Sequence, residues 1–181
     1  MDYAQPRPGM KVLDLAAGTG EPAISLASRV APGGKVTALD LSAELLEIAS
    51  GRARERKLTN LVIQQADAHE LPFPDNIFDL VTSRFGVMFF ETKALHEARR
   101  VLKPGAPLVI TFSNRCVATK AIACWCLLDE AGHLCLIAQH FAEAGSWADV
   151  RCLDRTPPGG GQPLYAVIGR SLGAGRPGSS D

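Results

Sequence analysis

An α/β domain, with a mostly parallel sheet and helices on both faces, is what this chain predicts, and three observations predict it. Short apolar runs and helix-period segments alternate five times between Val12 and Phe112. The first run enters a helix through Ala16-Ala17-Gly18-Thr19-Gly20-Glu21-Pro22-Ala23. Gly18, Gly20 and Ala23 fit the pattern that lets backbone turn tightly against a nucleotide-like ligand. Asp40 closes the second run 20 residues after Gly20, where the acidic residue of a βαβ nucleotide site takes the ribose hydroxyls.

In chain order, Val12 to Leu15 reads as a buried strand. A helix follows from Pro22, suited to a first turn because its missing N–H is unpaired there anyway, to Val30. Its apolar face is Ala23, Leu26, Ala27 and Val30, and Ala31-Pro32-Gly33-Gly34 stops it. Lys35 to Leu39 is the second strand, ending at Asp40. Ser42 is the expected N-cap of the next helix, with Glu44 in its first turn and Leu45, Leu46, Ala49 and Ala53 inward. Leu61 to Gln65 and Phe78 to Ser83 are strands three and four, Lys93 to Leu102 a helix, and Pro107 to Phe112 the fifth strand. Beyond it, helices are expected over Thr119 to Ala131 and His133 to Ala144, broken at Gly132. Strands are expected over Asp149 to Asp154 and Leu164 to Arg170. So short a link forbids a helical crossover, which makes the last strand antiparallel. Residues 1–170 thus form one domain, 9–112 a ligand-binding half and 113–170 a substrate-side half. The Gly/Ser-rich residues 171–181 read as a disordered tail.

Bulk properties exclude more than they assign. A chain of 181 residues with 46% apolar residues suits one globular domain. Zero formal net charge supplies no field for nucleic acid or an anionic membrane. No run approaches the roughly 18 apolar residues of a membrane span, and no signal-peptide layout opens the chain. Five cysteines without a CxxC pair suggest reduced thiols and a cytoplasmic setting. Their spacings match no zinc pattern, so Cys116, Cys124, Cys126, Cys135 and Cys152 read as buried free thiols and no metal is expected.

Two acidic residues sharpen the ligand. Asp14 is a carboxylate inside a strand, and Glu21 puts a second negative charge at the helix start, where a dinucleotide's pyrophosphate would sit. A ligand with an adenosine end and a cationic amino-acid end meets no such repulsion. This favours S-adenosylmethionine over NAD.

That loop, Asp40, the segment Ala66 to Phe73 and Val101-Leu102-Lys103-Pro104-Gly105 together resemble class I S-adenosylmethionine-dependent methyltransferases. The closest likeness is to the ubiquinone/menaquinone C-methyltransferase branch (the methyltransferase type 11 domain), over about residues 9–112. The resemblance implies a Rossmann-like, seven-stranded sheet with its last strand antiparallel. It further implies that Ala16, Gly18 and Gly20 pass the methionine part and ribose, and that Asp14 holds the loop and the cofactor's ammonium. Asp40 would accept the ribose hydroxyls and Leu41 pack on adenine, while Asp67, with Ala68 beside it, would accept the adenine amino group. Arg84 would stand near the methionine end and the substrate. Related enzymes carry a helical segment before the first strand that helps cover the active site. Its absence here leaves two readings open: a second subunit or partner completes the site, or the chain is a shortened, weakly active or inactive form.

Methyl transfer is an in-line displacement with a neutral leaving group, so alignment and exclusion of water dominate. Candidate catalytic groups are His69, Arg84 and His133, with His140 beside them as a substrate-wall residue and His96 as a surface or packing residue. Phe85, Met88, Phe89 and Phe90 either line a pocket for an apolar substrate or cover the core. The expected activity is methyl transfer to a small, rather apolar molecule. The alternatives are a cofactor-binding but inactive domain and, disfavoured by Glu21, Pro22 and the lack of a Tyr-x-x-x-Lys pair, an NAD(P)-dependent oxidoreductase.

Overall fold

The computed structural model describes residues 4–113, 125–159 and 162–173. Strands β1 (Lys11–Leu15), β2 (Lys35–Asp40), β3 (Leu61–Gln65), β4 (Leu80–Arg84), β5 (Pro107–Phe112), β6 (Trp147–Asp154) and β7 (Tyr165–Ser171) form one sheet. Their order is β3-β2-β1-β4-β5-β7-β6. The first five are parallel, and β7 runs antiparallel to both β5 and β6. Among the described residues four α-helices accompany them: α1 (Ala23–Val30), α2 (Ala43–Glu55), α3 (Thr92–Val101) and α4 (Glu130–Ala144). None is long and apolar enough to cross a membrane.

The sheet divides two cores, because successive side chains of a strand point to opposite faces. Val12, Val36, Ala38, Leu80, Val109 and Ile168 meet α1 through its fully buried Leu26, Ala27 and Val30. Leu13, Leu15, Leu39, Val81, Leu108, Ile110 and Phe112 meet α3, α4 and Trp125 on the other side. Each fully buried Leu or Val contributes roughly 1.5 to 3 kcal/mol, so the alternation alone fixes which face each strand presents.

Helix boundaries follow local chemistry. Ser42 caps α2 by accepting the Leu45 amide at 3.3 Å. Pro22 takes the N-cap position of α1, one residue before the first helical turn where the sequence puts it. Helix α4 runs straight through Gly132, which corrects the expected break. Asp129 caps that helix and accepts the Gly132 amide at 2.8 Å, so the glycine sits in the first turn with its N–H satisfied. The helix expected over Thr119 to Ala131 fails over residues 125–129, while Glu130 and Ala131 open α4. Trp125–Leu127 is a short 3-10 turn and Asp129 is extended, while residues 119–124 lie outside the described residues.

Four further expectations change. Residues 66–79 between β3 and β4 hold turns and no helix, so the alternation is interrupted once. Phe78 precedes β4 and bridges only Leu102. Ser171 belongs to β7, and Leu172 donates its amide to Ser146 O at 3.0 Å, so order continues two residues into the supposed tail. Residues 174–181 lie outside the described residues. The thiols are not five buried ones: Cys126 is disulfide-bonded, and Cys135 and Cys152 are free and exposed. Spacing counts cysteines along the chain, whereas exposure is set by which face of α4 and β6 each occupies. Cys116 and Cys124 lie outside the described residues.

Gly20 carries the tightest demand on the first loop. Its φ is +104°, and a Cβ there would stand 2.7 Å from Ile24 Cδ1 and 3.2 Å from Ala49 Cβ. Gly20→Ala is expected to destabilise the fold by about 1 to 3 kcal/mol, through backbone strain and the displaced α1–α2 contact. Urea denaturation checks this; an unchanged midpoint would mean that the loop relaxes without cost.

Candidate functional site

Parallel strands end at the same edge, and in this order the chain reverses direction of travel across the sheet between β1 and β4. The crevice outside the carboxyl ends at such a switch point is where open α/β sheets bind ligands. A cavity of about 610 Å³ opens there, lined by the loops after β1, β2, β3 and β4.

The β1 loop is held by backbone and by one carboxylate. Ala16, Gly18 and Gly20 all have positive φ, of +54°, +53° and +104°. Ala17 N–H donates to Leu39 O at 2.8 Å. Asp40 Oδ2 accepts the Gly18 amide at 2.8 Å, and its Oδ1 accepts the Ser42 amide at 2.9 Å. One carboxylate therefore ties the glycine loop to the start of α2, and Asp40 rather than Asp14 makes the bond that braces the loop.

Asp14 lies beneath, wholly buried in β1. Thr82 Oγ1 donates to its Oδ1 at 2.6 Å, while Oδ2 is buried without a hydrogen-bond partner. Burial pushes its pKa up to about 7 against the Thr82 bond and the Ala23 amide, with Glu21 and Asp40 adding repulsion.

Past β3, Asp67 Oδ1 accepts both the backbone amide of His69, at 2.8 Å, and His69 Nδ1, at 2.7 Å. The amide bond leads in holding this carboxyl below the usual range. His69 Nε2 in turn accepts the Glu91 amide at 3.1 Å, and the ring stands edge-on to Phe90. These bonds are satisfied together when Nδ1 carries the proton, so His69 clamps the β3 loop to the start of α3 and has no nitrogen left for a substrate.

At the end of β4, Arg84 is exposed, with its guanidinium 4.9 Å from the Phe85 ring centroid. Gly86 allows the β4 loop to press on the β1 loop: a Cβ there would lie 2.6 Å from Ala16 Cβ and 2.5 Å from Ser83 Oγ. Phe85, Met88, Phe89 and Phe90 complete an apolar wall opposite Leu41, which is 64% exposed, and Leu45.

Of the residues singled out in the sequence, Ala16, Gly18, Asp40, Leu41, Asp67, Ala68, His69 and Arg84 line this cavity. Asp14 and Gly20, expected at the cofactor, do not line it. His133 does not line it: 3% exposed, it stacks on Trp125 at 4.0 Å with Nε2 2.8 Å from Trp125 O. His140 meets Thr92 Oγ1 through Nδ1 at 2.9 Å, between α4 and α3, and burial lowers its pKa. Among the described residues, 113–173 contribute nothing to the cavity wall, and no group of three acidic, His or Cys residues is placed to hold a metal. Sequence reasoning missed Ser42, Leu45 and Gly86. A glycine two residues past Arg84 was the one available signal.

A family model described as the ubiE/COQ5 methyltransferase family matches residues 1–139. The chain belongs to the ubiE/COQ5 methyltransferase family. Similar to it is the ubiquinone/menaquinone biosynthesis C-methyltransferase of Bordetella avium, 44% identical over 114 residues, which are 62% of this chain and 44% of that protein. The chain thus spans about half the length of the curated relatives it matches, 44% to 49% for those of Bordetella avium and Idiomarina loihiensis. Among solved structures, an S-adenosylmethionine-dependent methyltransferase from Aquifex aeolicus aligns with a TM-score of 0.71 at 23% identity, over 93% of this chain and 85% of that one. The cyclase SpnF aligns with a TM-score of 0.72 at 21% identity, over 96% and 80%. Both share the fold, and the second shows that the fold alone does not dictate methyl transfer.

Asp14 gives the site a pH signature. The folded chain keeps this proton to higher pH than the unfolded chain does, so the group favours folding at low pH. That contribution is lost as pH rises from about 4 to about 7. Asp14→Asn removes this slope, so the variant's stability relative to the parent is expected to climb across that window. Urea titrations on either side of it check this, and a constant difference would mean that Asp14 is ionised throughout.

Proposed function

We propose that this protein binds S-adenosylmethionine in the switch-point cavity and transfers its methyl group to a carbon of a small, apolar, quinone-type aromatic acceptor. The observation that carries this reading is the pairing of two carboxylates, Asp40 and Asp67, at the ends of β2 and β3, with an apolar wall from Phe85 to Phe90 across the same cavity.

The residues fit that cofactor. Asp40 retains acceptor capacity on both oxygens after taking the Gly18 and Ser42 amides, which suits a pair of ribose hydroxyls. Asp67 suits an exocyclic amino group, with Leu41 and Leu45 as apolar surfaces for a purine ring. Asp14 Oδ2, buried and unpartnered, is an acceptor for an ammonium group reached through water. Glu21 supports the choice of a cationic ligand over a pyrophosphate, although its carboxylate is occupied by Ser25 Oγ at 2.6 Å.

When bound, the cofactor supplies an electrophilic methyl on a sulfonium whose departure leaves a neutral thioether. What remains for the chain is to align the acceptor carbon in line with that bond and keep water out, the task to which Phe85, Met88, Phe89 and Phe90 are suited. An electron-rich acceptor carbon does not need a histidine base. His69 lines the cavity with both nitrogens committed, which agrees with a reaction governed by alignment. The names of the curated relatives support carbon as the methylated atom and a quinone precursor as the acceptor class.

Calorimetric titration with S-adenosylhomocysteine, with NADH as control, tests the cofactor. Binding of the former alone is expected, and a preference for NADH would overturn the reading. Asp40→Ala is expected to weaken S-adenosylhomocysteine binding at least tenfold, about 1.4 kcal/mol or more, with the circular dichroism spectrum retained. Unchanged affinity would remove Asp40 from the ribose site. Turnover with a reduced quinone-type acceptor, followed by methyl-group label, tests the reaction itself.

A further inference from the structure

A second cavity, of about 590 Å³, is bounded by β5, β6, β7, the turn 103–106 and the segment before β1. It lies on the face that carries Ile168 and Arg170, whereas Gly169, on the other face, packs against Phe141 of α4. Antiparallel register puts Arg151 opposite Ile168, and Pro107 opposite Arg170, so all four side chains stand on the same face. Leu153 and Ile168 form an apolar floor there, with basic side chains around it.

The charge is one-sided. Arg7, Lys103, Arg151, Arg155 and Arg170 line the cavity against a single acid, Asp79. That acid is already taken: Lys103 Nζ donates to Asp79 Oδ1 at 2.6 Å and the Lys11 amide to Oδ2 at 2.8 Å. No carboxylate among the described residues pairs with Arg7, Arg151 or Arg170. Arg170 is instead fixed by donating from Nη1 to Gly105 O at 3.0 Å, which leaves its other guanidinium N–H groups for a ligand. In a chain of zero formal net charge, Arg7, Arg151 and Arg170 therefore gather positive charge in one recess without a carboxylate partner among the described residues. Self-repulsion among these groups favours an occupant that carries negative charge, and planar guanidinium forks match phosphate oxygens.

We propose that this recess is an anion-binding site, separate from the cofactor cavity, for a phosphate-bearing ligand with an apolar portion. The phosphate would lie among Arg7, Arg151 and Arg170, and the apolar portion on Leu153 and Ile168. The headgroup of an anionic lipid and a soluble phosphate compound offer the same phosphate chemistry, and the test separates them.

The full chain is titrated calorimetrically with inorganic phosphate at fixed ionic strength. It is also sedimented with vesicles of phosphatidylglycerol or of phosphatidylcholine. Saturable phosphate binding without vesicle binding would assign the site to soluble phosphates. Selective sedimentation with phosphatidylglycerol, competed by phosphate, would assign it to a lipid headgroup. In either case Arg151→Gln, at an exposed position, is expected to weaken binding about tenfold, and Arg151→Gln with Arg170→Gln further, while S-adenosylhomocysteine affinity is unchanged. Binding of neither probe would overturn the proposal. So would binding that the double variant leaves intact, or that S-adenosylhomocysteine displaces, because the ligand would then occupy the other cavity.

Discussion

The carboxylate of Asp40 accepts the Gly18 and Ser42 amides at once, and the shape of the cavity depends on that double bond. Charge-assisted hydrogen bonds to backbone are roughly twice as strong as neutral ones, so this one side chain holds two loops of different strands in register. It also holds the glycine loop in a left-handed course that its own sequence would not stabilise. Gly86 closes the arrangement from the other side by letting the β4 loop lie against Ala16. The cavity is the space left when three backbone segments are drawn together by a carboxylate at one point and a missing side chain at another.

Beneath this arrangement is a buried acid that the fold leaves half-satisfied. Asp14 has one short bond from Thr82 and an oxygen with none, in a strand where an apolar residue would suit the core better. Such a residue lowers the stability of the folded chain at neutral pH, and it stands in the strand that leads into the glycine loop. His69 is the opposite case: a tempting general base in the sequence, it is tied at both nitrogens between two loops. A titratable residue beside a cavity can be part of the wall and take no part in the chemistry.

Local rules were enough for much of the chain. β3 and β5 follow from apolar runs with the same ends as in the structure, and the Ser42 cap follows from its place before an amphipathic run. The cavity lining from Gly18, Asp40 and Asp67 was also legible, since motif spacing is a distance along the chain that the parallel sheet converts into adjacency. The errors cluster after Phe112. Gly132 reads as a breaker in isolation, and only the Asp129 cap, which accepts its amide, makes it a first-turn residue. His133 read as a substrate-side residue because nothing local reveals that it stacks on Trp125.

By itself, the sequence determined the α/β class, the first five strands, the direction of the last and several of the residues that line the switch-point cavity. Each of these is set by periodicity or by a short, fixed spacing. Tertiary structure alone decided that Asp40 braces the loop, that Asp14 is wholly buried, that the two histidine candidates are consumed by other contacts, and that five basic side chains line one recess. Residues such as Arg7, Lys103, Arg151 and Arg170 are far apart along the chain and lie in no motif. Strand pairing across β5, β7 and β6 brings Arg151 and Arg170 together, the turn before β5 and the segment before β1 add Lys103 and Arg7, and charges so distant in sequence interact only once the fold has set their separation.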